Sequence, residues 1–209
     1  MLTATRVSDN IKVLARDAAR CEAPFKCAGC SEILILRKGS CRIHHFAHKP
    51  PVSCAYGMGE TAAHYEAKLG IYEALRQNPN VKNADLEKQL NGQIADVYAE
   101  INGIPVAIEI QRSQITVEAI SSRTAAYHAQ RIAVIWLIPT MPAVTDGIVA
   151  PSSMEKWLHA AYFGRVYYWR GGSQIQPIHF NTHARYIEAN DYGGGHWKNY
   201  RRYKKTTAW

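Results

Sequence analysis

The dipeptide Asn102-Gly103 lies between two alternating apolar runs, QIADVYAEI and IPVAIEIQ, and constrains the fold more than any other feature of the chain. Asn-Gly accepts the positive backbone torsions of a two-residue hairpin turn, so the flanking runs are expected to pair antiparallel. Pairing Ile101 with Ile104 places Asp96 directly opposite Glu109. Side chains alternate along a strand, so Val106, Ile108 and Ile110 share an apolar face while Glu109 and Gln111 turn the other way with Asp96. Directly opposed Cβ atoms lie about 4.5–5.5 Å apart, close enough for two carboxylates to share a hard divalent cation. Like charges so opposed cost stability unless an ion compensates them. Mg²⁺ held by Asp96 and Glu109, with the Ile110 carbonyl as a further ligand, is the expected occupant and suits hydrolysis of a phosphodiester. An exposed strand that carries its acids by coincidence is the other reading of the hairpin alone.

The segment GETAAHYEAKLGIYEALRQN weighs against coincidence. At about 100° per residue, Glu60, His64 and Lys68 share a helical stripe with Ile71 and Leu75, while Glu66 and Glu73 fall on the opposite side. A helix that buries Ile71 and Leu75 on a sheet turns the three polar residues toward it as well. Glu60 then joins the Mg²⁺ ligands, and Lys68 or His64 is placed to meet a phosphate or assist proton transfer. The expected catalytic set is Glu60, His64, Lys68, Asp96, Glu109 and Gln111. It rides on a helix, three strands, a helix and a strand between Gly59 and Pro139, an α/β core. Thr116 is expected to cap the second helix, Ser113 to cap it or satisfy backbone groups, and Arg123 and Tyr127 on that helix to face a groove or to be solvated and packed respectively.

Four of the five cysteines fall between Phe25 and Cys54, in a stretch threaded through a hairpin, EILILRK to CRIHHF. Cys27-x2-Cys30 and His45-x2-His48 together offer four donors for a tetrahedral Zn²⁺ site, with Cys54 next in line should one histidine face away. So small a fragment buries too little core to hold itself, and the metal would supply folding energy. A full Cys2His2 shell leaves no open position, so the module is expected to be structural or DNA-contacting rather than hydrolytic.

These residues resemble the CoiA-like competence protein family, in which a CxxC…HFxH element precedes an ExxxHxxxK helix and a D…ExQ hairpin. The elements stand here as Cys27/Cys30 with His45/His48, as Glu60/His64/Lys68, and as Asp96 with Glu109 and Gln111, and the likeness extends over residues 25 to 140. The resemblance implies a PD-(D/E)XK (restriction-endonuclease-like) core behind a small N-terminal zinc-binding module, and a role in DNA processing. Gln111 stands where the wider superfamily carries a lysine and supplies no charge, although Lys68 is positioned to stand in for it.

A formal net charge of +8 favours a polyanionic partner. Residues 196 to 209, HWKNYRRYKKTTAW, concentrate Lys198, Arg201, Arg202, Lys204 and Lys205 among aromatic residues and contain no acid. Cations for phosphates and rings for bases are the combination used on single strands, and a solvated basic tail is the bland alternative. No apolar run reaches the ~18 residues of a membrane span, and the start lacks the layout of a secretory signal, so a cytoplasmic protein is expected. The chain divides into a lead-in and zinc-finger-like module at 1–56, a nuclease-like domain at 57–192 and a basic aromatic tail at 193–209. The reading is a Mg²⁺-dependent deoxyribonuclease in competence, recombination or foreign-DNA processing, with DNA as partner and a two-fold homodimer as a natural way to cut both strands. The alternative is a DNA-binding recombination-accessory protein that has lost cleavage.

Overall fold

Short alternating runs before residue 50 close an antiparallel sheet of strands β1 (Thr3–Arg6), β2 (Lys12–Leu14), β3 (Phe25–Lys26), β4 (Ile33–Arg37) and β5 (His45–His48) in the order β2-β1-β3-β4-β5. The computed structural model describes residues 1–52, 54, 56, 60–111, 115–140 and 147–205, with backbone alone at 147–149, 183 and 201–205. Alternation decides which side of β4 is inside: Leu34 and Leu36 are buried, whereas Ile33 is 47% exposed. Leu34 and Leu36 pack with Phe25 and Phe46, whose ring centroids lie 5.0 Å apart, in a core that also includes Cys27.

The next elements follow the expected order: helix α1 (Ala62–Arg76), strands β6 (Val81–Leu90), β7 (Gln93–Ile101) and β8 (Ile104–Ile110), helix α2 (Val117–Ala129) and strand β9 (Ala133–Pro139). Thr61 caps α1 by accepting from the His64 amide, and Thr116 accepts from the Ala119 amide at the start of α2. The β7–β8 turn has φ of 52° at Asn102 and 80° at Gly103, and Ile101 pairs with Ile104 and Val97 with Ile108, the register the Asn-Gly turn dictates. Helix α1 packs on β6, β7 and β8.

Chain contacts group Met1–Ile110 with Ala126–Ile135 as one compact unit, and Gln111–Ala125 with Trp136–Trp209 as a second. The first holds the small sheet, α1 and the β6-β7-β8 meander. The second adds β10 (Gly147–Val149), α3 (Ser153–Ala161), β11 (Val166–Trp169), β12 (Ile175–Ile187) and β13 (His196–Lys205). Ser152 and Glu155 cap α3 reciprocally. Residues expected to trail off as a basic tail are instead strand β13, paired antiparallel with β12 from His196↔Ile187 to Lys205↔Ile178. Ser113 and Trp209 lie outside the described residues.

Candidate functional site

Among the described residues, two groups of side chains that could hold a metal form in the first unit. In the first group, donor atoms of Cys27, Cys30, His48 and Cys54 all lie within 4.8 Å of one another. The loop after Cys27 is built as a ligand knuckle: the Gly29 amide donates to Cys27 Sγ at 3.3 Å, the Ser31 amide donates to the Cys27 carbonyl, and Ser31 takes φ 64°. Cys30 Sγ lies 3.2 Å from His48 Nε2. Burial pushes the Cys27 thiol up to about 12, so a cation would be needed to hold it as thiolate near neutrality.

His45, expected in this set, is outside it. His45 and His48 are three residues apart on strand β5, and a period of two puts them on opposite faces. Its ring stacks on Tyr65 at 5.5 Å and Nδ1 pairs with the Ile43 carbonyl, while Cys54 fills the fourth position. Two thiols, a third thiol and an imidazole match the soft and borderline donors that Zn²⁺ takes.

The second group joins Glu60, His64 and Asp96, again within 4.8 Å. Glu60 just precedes α1, His64 is on its first turn, and Asp96 comes from β7. His64 Nε2 lies 3.2 Å from Asp96 Oδ2, which also accepts from the Ile110 amide at 2.9 Å. Glu60 Oε2 receives a 2.6 Å contact from the backbone nitrogen of Met1. His64 and Asp96 are each 18% exposed and Glu60 8%, so the first two form the accessible side.

Lys68 holds this group together. Its side chain is 1% exposed and its ammonium meets Glu60, Glu87 Oε1 at 2.7 Å and Asp96 Oδ1 at 3.5 Å. An ammonium has three hydrogens, so three carboxylates leave none for a phosphate. Burial favours the neutral amine, but the charges of Glu87, Asp96 and Glu60 outweigh it and hold Lys68 above the ordinary lysine range. Burial likewise pushes the Asp96 carboxyl up, and Lys68 and His64 more than reverse this and hold it low.

Glu87, on β6, is the buried acid that sequence reasoning missed. Oε1 accepts from the Leu2 amide at 2.8 Å, and Oε2 from the Thr3 amide and hydroxyl, each at 2.8 Å. Burial raises its carboxyl, but Lys68 and these donors hold it well below the usual carboxylate range. Glu87 therefore ties β1 of the small sheet to the lysine under the acid group. Tyr56 also bridges the regions: its side chain lies 3.3 Å from where a Cβ on Gly29 of the knuckle would stand. Burial and then the charges of Glu87, Glu60 and Asp96 hold its hydroxyl far above the ordinary tyrosine range.

Glu109, expected opposite Asp96 on one face, is turned elsewhere. It is 1% exposed and Oε1 accepts from the Tyr127 hydroxyl of α2. The regular alternation assumed for β7 fails at Asp96. Ala95 and Tyr98, an odd number of positions apart, pack into one cluster with Ala107 and Tyr127. On the neighbouring strand the β6–β7 pairing passes from Leu86↔Val97 to Lys88↔Ala95 and omits Glu87, which has φ 50°. The alternation of β7 breaks between Ala95 and Tyr98, with Asp96 on the α1 side and Glu109 with α2. The Ile110 amide serves Asp96, and the Gln111 amide donates to the Leu137 carbonyl at 2.9 Å. Arg123 lies over the Trp136 ring at 5.2 Å.

Residues 60–159 match the family model described as competence protein CoiA, nuclease-like domain, and residues 10–57 match that of the competence protein CoiA N-terminal domain. Over 115 residues the chain is 29% identical to competence protein CoiA of Bacillus subtilis (strain 168), a stretch that covers 54% of this chain and 31% of that protein. The matched chain thus spans under a third of that relative's length. No solved structure matches.

Proposed function

We propose, for a chain that belongs to the CoiA-like competence protein family, a metal-dependent deoxyribonuclease with a PD-(D/E)XK-type core and a structural Zn²⁺ module. The observation that carries the proposal is the convergence of Glu60, His64 and Asp96 above a fully buried Lys68. Folding alone gives no reason to bring Glu60, Glu87 and Asp96 together on one lysine beneath a half-open face. The donor set fits a divalent cation: Glu60 and Asp96 supply hard oxygens suited to Mg²⁺, and His64 adds a nitrogen that also suits Mn²⁺. Bound there, the ion would activate water and offset charge developing on a phosphodiester.

The chain's own residues have separable tasks in this reading. Lys68 keeps Glu87 and Asp96 ionised and fixes Glu60 beside them, and so prepares the acids rather than gripping substrate. The Ile110 amide and His64 orient the Asp96 carboxylate. His64, at the accessible side, would take the proton from the attacking water and return it to the bridging ester oxygen, which leaves as an alcohol. Glu109 braces the β7–β8 hairpin through Tyr127, and Cys27, Cys30, His48 and Cys54 hold Zn²⁺. Placement in the cytoplasm and two-fold pairing of chains belong to the same proposal; among the described residues no helix is long and apolar enough to cross a membrane.

A second reading, a DNA-binding recombination-accessory protein without cleavage, is favoured by one observation. Glu109 is engaged by Tyr127 and Lys68 by three carboxylates, so the usual metal-ligand pair and free cation are not assembled. Incubating the full chain with supercoiled, linear and single-stranded DNA, with Mg²⁺ or Mn²⁺, separates the two. Cleavage that disappears in Asp96→Ala supports the nuclease; cleavage that survives Asp96→Ala refutes this site, and binding without cleavage favours the accessory protein.

A further inference from the structure

Strands β12 and β13 run together well beyond the strands that flank them. Strand β11 pairs with β12 only at Ile175–Ile178, and β10 with β13 only at residues 201–203. From His183 to Ile187 and from His196 to Tyr200 the two strands pair with each other, and among the described residues no third strand joins them. At about 3.3 Å per residue, this is roughly 16 Å of two-stranded ribbon. An isolated ribbon of this kind has exposed edges and little core, which invites a partner for its surface.

The register sorts its side chains into two different faces. Tyr186 is opposite Trp197, with ring centroids 5.5 Å apart and exposures of 43% and 69%. Their neighbours on that face, Ala184 and Asn199, are small or polar, so the rings stand clear. On the other face Arg185 is opposite Lys198, both exposed, and Lys198 Nζ lies 5.3 Å from the Tyr200 ring centroid. Gly195, at the hairpin end, passes so close to Tyr186 that a Cβ there would overlap the ring, which explains a glycine where the backbone crosses an aromatic. Arg201, Arg202, Lys204 and Lys205 continue the basic strand at positions opposite Thr182, Asn181, His179 and Ile178, and the acids of the ribbon, Glu188 and Asp191, are confined to its turn.

We propose that the β12–β13 ribbon is a binding surface for single-stranded nucleic acid, with Tyr186 and Trp197 stacking on bases and Arg185 and Lys198 meeting phosphates. Aromatic faces need unpaired bases, because a duplex buries its own in stacking. Cations on the reverse face of so thin a ribbon lie within reach of a backbone wrapped over its edge. The surface is distinct from the acid group and serves either the nuclease or the accessory reading.

Fluorescence anisotropy with the zinc-loaded full chain, labelled single-stranded DNA and RNA of about 20 nucleotides, and no added Mg²⁺ or Mn²⁺ tests this without any need for cleavage. Trp197→Ala is expected to weaken binding roughly 5- to 150-fold, and Trp197→Phe to retain most of it, since base stacking is lost in one and kept in the other. Arg185→Gln combined with Lys198→Gln is expected to reduce the log–log salt slope by about 1.4, two phosphates at about 0.7 each. Unchanged affinity in Trp197→Ala, or a blunt duplex of equal length competing as well as the single strand, overturns the proposal. Its failure leaves the Asp96→Ala result untouched, and the reverse also holds.

Discussion

Replacing Glu87 by glutamine is the sharpest test of how the acid group is held. Glu87 is 1% exposed, and both carboxylate oxygens only accept: Oε1 from Lys68 and the Leu2 amide, Oε2 from the Thr3 amide and hydroxyl. An amide of the same size must point an NH2 at one of these pairs of donors, and it cannot neutralise Lys68. Removing one partner of a buried ion pair costs about 3–5 kcal/mol, because the other charge stays buried. With a urea m-value of ~2 kcal/mol/M, the midpoint should fall by about 1.5–2.5 M. The pH dependence gives a second, independent signature. The folded carboxyl is held below its unfolded value of about 4.3, so its stabilisation is complete above that value and is lost as pH falls toward the folded one. Wild type and Glu87→Gln should therefore differ most near neutrality and converge in acid. Urea titration followed by far-UV circular dichroism at about pH 7 and about pH 3.5, with zinc present at the higher pH, measures both. A loss under about 1 kcal/mol at neutral pH would refute the buried ion pair.

The zinc knuckle predicts that His48→Ala and Cys54→Ser lose bound zinc by elemental analysis and lower thermal stability, whereas His45→Ala keeps its metal, because β5 turns that ring to Tyr65. Retained zinc in Cys54→Ser with loss in His45→Ala would restore the ligand set expected from spacing. Tyr127→Phe removes the hydroxyl that serves the buried Glu109 and should cost about 1–3 kcal/mol in urea denaturation. The same variant should leave divalent-ion affinity at the Glu60, His64 and Asp96 group unchanged by calorimetry, and a marked loss of that affinity would place Glu109 among the ligands.

What was legible beforehand was what local chemistry determines. Asn102 and Gly103 specify a turn by their own torsions, and the turn alone fixes Ile101 on Ile104 and Val97 on Ile108. The helical stripe of His64, Lys68 and Ile71 required only a period of 3.6, and Lys68 and Ile71 are buried as it demands. The zinc ligands were half legible: HFAH belonged to a hairpin strand, where a spacing of three divides His45 from His48, so the strand assignment itself argued for Cys54. Asp96 and Glu109 were misplaced for a different reason. Their faces depend on a break of alternation on β7, beside which Glu87 takes φ 50° and is held by Leu2, Thr3 and Lys68, which are remote in the chain. Residues 81–90, VKNADLEKQL, offer charges without any period of two, and nothing local separates a glutamate facing water from one clamped by a distant strand. Strand β13 was hidden in the same way, because HWKNYRRYKK becomes a strand only when Ile178 to Ile187 are available to pair with it. Glu87, which no local pattern marks, takes partners from as far away as Leu2, which is the expected consequence of burying a charge. Its stabilisation must come from tertiary donors, so no window of sequence around it can contain the reason it is there.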